Sequence, residues 1–330
     1  MTPLTTRATT RTTAGQAAGS ARTRRGLPAR GGQRDRVSWR DTLTGWAFVL
    51  PATTLIIGLA FFPAGWAFLI SRQNTDLITP ATPAGWSNYE LMLHDPGVKG
   101  AVLHTLFFSS LYVPISILGG LLLAVALNRE IRFQWFYRTC IFVPFVASAA
   151  ATGILANFVF DENFGIANNI IRHLGLPKQG FLTDPTQAML VLVVISLWGS
   201  IGFNVVIYLA ALQDVSKDTL DAARVDGASP ARAFWHVVLP ELRPVTVFTT
   251  IWQMIAALQL FDLVYTTTKG QPLDSTVTIV FYLYTQAFPL NGGAGAFGYG
   301  SAIAYGVFAI TMLLTVVMIA YSRRAKVEAF

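Results

Sequence analysis

The side chains that could do chemistry in this chain are few, and their spacing favours binding over catalysis. The four histidines, His94, His104, His173 and His236, show no i, i+4 pairing and no H-E-x-x-H run, so metal-assisted hydrolysis has no ligand set. No G-x-x-x-x-G-K-[ST] loop is present to cradle phosphates, and no G-x-S-x-G elbow to carry a nucleophile. A lone cysteine, Cys140, excludes an internal disulfide and is expected as a small buried side chain. Asp214, Asp218 and Asp221 recur at i, i+4 and i+7; they could hold a cation or a basic partner, but read better as a solvated helix face. What remains is a set of amides and rings, Trp198, Asn204, Tyr208, Trp252, Gln253 and Gln259, interrupting two long apolar runs. In such a setting amides either meet a solute's hydroxyls or bond one helix to the next. Gln253 and Gln259 lie six residues apart, so one helix face does not hold both. Asp262 is the one acid inside an apolar run, close enough to its end to reach interfacial water; a gate or structural role fits it.

The elements that must position these groups are membrane helices. Of 330 residues, 53% are hydrophobic and 12% charged, far from the balance of a soluble domain. Six runs, 45–70, 102–127, 139–160, 188–212, 245–266 and 301–321, reach the roughly 20 residues a helix needs to cross a bilayer. All 24 Lys and Arg lie outside them. The expected fold class is therefore an all-α integral membrane protein with six transmembrane helices. Arg72, Lys99, Arg172, Lys178 and Lys269 fall on one side of the membrane and every other Lys and Arg on the opposite side. That excess places both termini and the 213–244 loop in the cytoplasm. The net charge of +7 thus follows from topology and calls for no nucleic acid. Pro144 and the small residues Ala147–Gly153 should kink the third run. Residues 275–288 are too short to cross and read as an interfacial or re-entrant segment.

Between the fourth and fifth runs lies the polar stretch DAARVDGASPARAFWHVVLPELRP, residues 221–244. Ala222 and Ala223 sit on a first helix whose small side chains permit close approach. Gly227 after Asp226 supplies the left-handed backbone of a helix C-terminus. Ser229 and Pro230 restart the chain as N-cap and first helical residue. Phe234, Val237 and Val238 give the second helix an apolar stripe, which Pro240 and Pro244 are expected to end.

This stretch resembles the EAA loop, the coupling loop of the membrane subunits of binding-protein-dependent ABC importers. The matching positions are Asp221, Ala222, Ala223, Asp226, Gly227, Ala228, Ser229, Phe234 and Pro240, with Asp221 standing where the pattern has Glu. GWSNYELML (85–93), GIANNIIRHLGL (165–176), LFDLVYTTTKGQPLDST (260–276) and GYGSAIAYGVF (298–308) resemble further segments of the sugar-importer group, so the likeness covers about 45–325. It implies one permease subunit of an importer for a sugar or oligosaccharide in a bacterial or archaeal inner membrane. The implied partners are a second homologous permease, two ATPase subunits and an extracytoplasmic solute-binding protein, besides the lipid bilayer. ATP and Mg would sit on the ATPase, with no cofactor on this chain and no catalysis by it. By the same resemblance the fourth and fifth spans line the path, where Asn204, Tyr208, Trp252, Gln253 and Gln259 are the candidate contacts. The competing reading is a stand-alone ion-coupled secondary transporter, which would build its ion site from broken helices and buried acids and has only Asp262 to offer.

The chain is thus expected to divide into three. Residues 1–40, Arg-rich with no acid before Asp35, form a disordered cytoplasmic tail held near anionic lipid. Residues 41–325 form the permease domain, and 326–330 a short cytoplasmic tail.

Overall fold

The computed structural model describes residues 39–129 and 132–324. The expected N-terminal tail lies outside the described residues as far as residue 38, and the C-terminal tail lies wholly outside them. One unit ends at Ile57 and a second begins at Gly58. The first contributes the helix α1 (Trp39–Ile56). In the second, α2 (Phe62–Ser71) leads through two-residue antiparallel strands, β1 (Gln73–Asn74) and β2 (Thr82–Pro83), to α3 (Ser87–His94) and the long α4 (Pro96–Leu127). There follow α5 (Gln134–Val146), α6 (Ala149–Val159), α7 (Ile166–His173) and α8 (Ala188–Asp214). Next come α9 (Lys217–Val225), α10 (Pro230–Ala233), α11 (Leu239–Glu241) and α12 (Arg243–Leu258). The chain closes with α13 (Asp262–Thr266), α14 (Ile279–Ala287) and α15 (Phe297–Arg324). The molecule is all-α, as its apolar runs required.

Among the described residues, four helical stretches are long and apolar enough to cross a membrane: Leu43–Ser71, Pro96–Leu127, Ala188–Asp214 and Phe297–Ala320. The two remaining expected spans are interrupted. Within 139–160 the chain bends by 101° between α5 and α6, far more than a proline kink. Ala147 and Ser148 are extended there, and the Ser148 hydroxyl accepts the N–H of Ala151 at 3.3 Å, restarting the helix in a new direction. Within 245–266, α12 stops at Leu258 and α13 starts at Asp262, with Phe261 outside helical geometry. The break leaves the Leu260 carbonyl free of the helix, and the Thr278 hydroxyl donates to it at 2.7 Å. The second break was not legible because its partner, Thr278, is distant in sequence; at the first, Pro144 and the small residues signalled a bend but not its 101° size.

The core gathers on α8, which packs against α4 and α5. Phe108, Tyr112, Leu121, Leu192, Val205 and Tyr208 are among its buried members. Glycines set the spacing: a Cβ on Gly120 would lie 2.5 Å from Cβ of Asn204, and one on Gly202 would lie 2.4 Å from the Ile141 carbonyl oxygen. Small residues thus bring the backbones together, the packing mode open to helices that gain little hydrophobic free energy by pairing in lipid. Cys140 is exposed on α5 and not buried, because α5 turns Ile141 and Pro144 inward instead.

A polar latch joins the start of α4 to α14 and α15. Asp95 caps α4 through a 2.7 Å bond from the Gly97 N–H, and accepts the Tyr282 hydroxyl at 2.8 Å as well as the Tyr299 hydroxyl. Burial alone would raise the Asp95 carboxyl, but the two tyrosine hydroxyls and the backbone N–H groups outweigh it and hold it below the usual carboxylate range. A carboxyl depressed in the folded state contributes stability above its unfolded pKa of about 3.9 and loses it as pH falls through the lower, folded value. Thermal melts taken downward from pH 5 should therefore show a loss of stability that is smaller in Asp95→Asn, Asp76, Asp161, Glu162 and Asp184 being held low as well.

Candidate functional site

The loop between α8 and α12 is built as two helices around a glycine. Ser216 caps α9, its hydroxyl accepting from the Thr219 N–H. At the far end Gly227 has φ +78°, the Gly227 N–H donates to the Arg224 carbonyl at 3.0 Å and the Ala228 N–H to the Ala223 carbonyl at 2.9 Å. These two bonds are a Schellman closure, which satisfies carbonyls the helix end would otherwise leave free. Ser229 then accepts the Arg232 N–H at 3.3 Å, with Pro230 in the first turn of α10. Ala222 and Asp226 are exposed, Ala223 and Ala228 half-buried, and Asp221 is held in an exposed ion pair with Arg224 at 2.7 Å. Val225 is 88% exposed and Trp235 63%, so the loop presents large apolar groups with no cover from its own chain. Phe234 instead packs against the core and anchors the loop to the bundle.

Pro240 and Pro244 do not end the second helix. A π-helical turn over Phe234–Val238 runs into α11, Pro240 takes an early position there, and Pro244 does the same in α12. Proline lacks an N–H and clashes with the preceding turn, but both penalties vanish where a turn begins. Only Leu242 separates α11 from α12, and it is still right-handed at φ −80°, ψ −3°. Helical elements therefore abut from the loop to the middle of the bundle, where α12 presents its polar residues.

There a half-open cavity of about 310 Å³ lies among α4, α5, α6, α8 and α12. Of the expected path residues, Trp252, Gln253 and Gln259 line it, together with Asp262. Gln253 and Gln259 share the cavity despite their six-residue spacing, because Gln259 lies past the end of α12 and leaves helical phase. Asn204 and Tyr208 do not line it. Asn204 is fully buried, accepts the Gln253 amide at 2.9 Å and donates to the Ser116 carbonyl at 3.0 Å, while the Tyr112 hydroxyl donates to Gln253 at 2.7 Å. This circuit ties α4, α8 and α12 together. Tyr208, equally buried, bonds Thr246 and Thr249 at 3.3 Å each. Trp198 is half exposed beside α6, away from the cavity. Asp262 is exposed at the rim, and among the described residues no cation pairs with it.

Asn204→Leu should strand the Gln253 amide in the core and cost about 1–3 kcal/mol. A lowered melting temperature of the solubilised protein is the expected reading.

Sequence reasoning missed Tyr112, Phe145, Phe203, Ser196 and Ser200 as cavity-lining groups. Phe145 and Phe203 extend Trp252 into a ladder of rings, with centroids 5.4 Å and 5.5 Å apart. Tyr112, Ser196 and Ser200, polar groups inside apolar runs, were the available signals.

Residues 116–327 match the family model of the binding-protein-dependent transport system inner membrane component. The chain belongs to this family. It is 32% identical to the lactose transport system permease protein LacF of Rhizobium radiobacter over 289 residues, 86% of this chain and 95% of that one. It is 31% identical to the sn-glycerol-3-phosphate transport system permease protein UgpA of Agrobacterium fabrum, over 79% of this chain and 89% of the relative. In fold it is similar to a chain of a bacterial alginate ABC transporter crystallised with an alginate pentasaccharide-bound periplasmic protein, with TM-score 0.76, 19% identity and coverage of 88% and 99%. This permease is thus a multi-pass membrane subunit of an ABC importer that works with a binding protein.

Proposed function

We propose that the chain is one of two homologous permeases of an ATP-driven sugar importer, coupled through its 221–240 loop to a separate ATPase subunit that holds ATP and Mg. The observation that carries the reading is the physical continuity of the exposed loop with the cavity wall: α10, the π turn, α11 and α12 follow one another with a single residue between the last two. A displacement imposed on α10, which follows directly on the Gly227 turn, reaches Trp252 and Gln253 along helical backbone. In this reading the broken α5–α6 and α12–α13 pairs each count as one crossing, which restores six spans with both termini and the loop in the cytoplasm. The uneven division of Lys and Arg supports that orientation. The cavity is then this subunit's wall of the path, facing the second permease.

A sugar ring has apolar faces and hydroxylated edges. The half-exposed Trp252 indole, backed by Phe203 and Phe145, offers a flat apolar surface, and Gln259, Ser196 and Ser200 offer bonding groups around it. The names of the relatives, for lactose and glycerol phosphate, support a hydroxylated solute. The decisive experiment is uptake in vesicles carrying both permeases, the ATPase and the binding protein. ATP-dependent accumulation of labelled oligosaccharide is expected, and Trp252→Ala should lower it about tenfold while the complex still assembles, stacked rings being worth about 1 kcal/mol or more. Uptake by this chain alone, driven by a proton or sodium gradient, would overturn the proposal in favour of an ion-coupled transporter.

A further inference from the structure

A second groove lies on the seam between α5 and α8, away from the cavity. It holds about 270 Å³ and is lined by Ile141, Val205, Val206, Leu209 and Ala210, with Arg138 and Gln213 as its polar groups. Its closed end is the crossing at Gly202, where α8 meets the α5 backbone. The Arg138 Nε is buried with no hydrogen-bond partner, and among the described residues no carboxylate pairs with the guanidinium. Asp214, the acid next to Gln213, is exposed and makes no ion pair with it. A buried donor without an acceptor is costly, and a guanidinium fork is shaped for phosphate oxygens.

The residues just before Arg138 show what surrounds it. Trp135 is 69% exposed, Phe136 51% and Tyr137 48%, so three rings project outward at the start of α5. Exposed aromatic rings at the end of a membrane helix mark the headgroup level. Arg138 therefore sits at or just below that level, on the face where the positive-inside count places anionic lipid within reach.

We propose that the α5–α8 groove binds one anionic phospholipid, its phosphate held by Arg138 and Gln213 and an acyl chain lying on Ile141, Val205, Val206 and Leu209. The orientation on which this rests is that of the importer reading above. A lipid bound there wedges against the seam that holds α5 to α8, and so bears on one wall of the cavity.

The test is a lipid count by native mass spectrometry on the chain captured by its own tag, with whatever subunits accompany it, from nanodiscs of phosphatidylcholine with or without phosphatidylglycerol. The wild type should retain one phosphatidylglycerol through delipidation. Arg138→Gln should lower its occupancy about tenfold or more, since a charge-assisted bond is lost. Val206→Trp should do the same by filling the groove with the cation intact, and decides the matter if the arginine variant fails to fold. Equal retention by wild type and Val206→Trp, or equal retention of phosphatidylcholine and phosphatidylglycerol, overturns the site. The same spectra show whether an ATPase subunit accompanies the chain, so failure of the importer reading is read separately.

Discussion

Gly227→Trp should abolish ATP-driven uptake, by about tenfold at the least, while the permease still folds and inserts. Two properties of the position separate folding from coupling. A Cβ at the exposed Gly227 would meet nothing within 4 Å beyond its chain neighbours, so a side chain there starts into open space. The backbone at φ +78° costs a non-glycine residue about 1–2 kcal/mol, a modest strain in a turn already closed by two hydrogen bonds. What a Trp does change is the outer surface, beside Ala222 and Val225, which in the proposed importer packs against the ATPase. A bulky obstruction in a docked interface removes the close packing that carries its energy, and an interface hot spot is worth about 2 kcal/mol or more. Gly227→Asn is the control, because Asn tolerates the left-handed region and adds little volume. Transport near normal for Asn and absent for Trp, measured in the same vesicles, is the expected pair. Normal transport by Gly227→Trp would mean that the turn docks against nothing.

Gly202→Val should destabilise the α5–α8 crossing sharply. Its Cβ would lie 2.4 Å from the Ile141 carbonyl oxygen and 3.1 Å from the Phe142 Cα, both backbone atoms that cannot rotate away. The helices α5 and α8 would have to separate along the seam they share. Overpacking of this kind costs about 1–3 kcal/mol where a neighbour can yield, so a fixed backbone neighbour puts this site at the upper end or beyond. Gly199→Val, one turn earlier on the same helix, is the comparison: nothing lies within 4 Å of its added Cβ. Detergent melts should show a large loss for Gly202→Val and little change for Gly199→Val. Equal melting of the two would mean that the α5–α8 crossing is looser than these distances indicate.

The sequence by itself determined the all-α membrane character, the four unbroken apolar helices and the helix–glycine–helix turn at 221–230. Each of these is local physics. Twenty apolar residues in a row have one way to satisfy their backbone in lipid, and a Gly after Asp226 followed by Ser229-Pro230 has one economical way to close and reopen a helix. The capping bonds at Ala223, Arg224 and Ser229 sit where those residue types put them. Tertiary structure decided the rest. It broke two runs that read as continuous, one where Ser148 starts a helix in a new direction and one where Thr278 satisfies Leu260. It carried helical backbone past Pro240 and Pro244, since a π turn upstream let each proline open a helical segment. It also sorted the polar residues of the bundle. Asn204 and Gln259 look alike in the sequence, as amides in apolar surroundings. Asn204 closes a hydrogen-bond circuit with Gln253 and Ser116, whereas Gln259 faces open space beyond a helix end. Which of two amides holds the bundle and which lines the cavity depends on partners up to 88 residues away, and no periodicity within one helix records them.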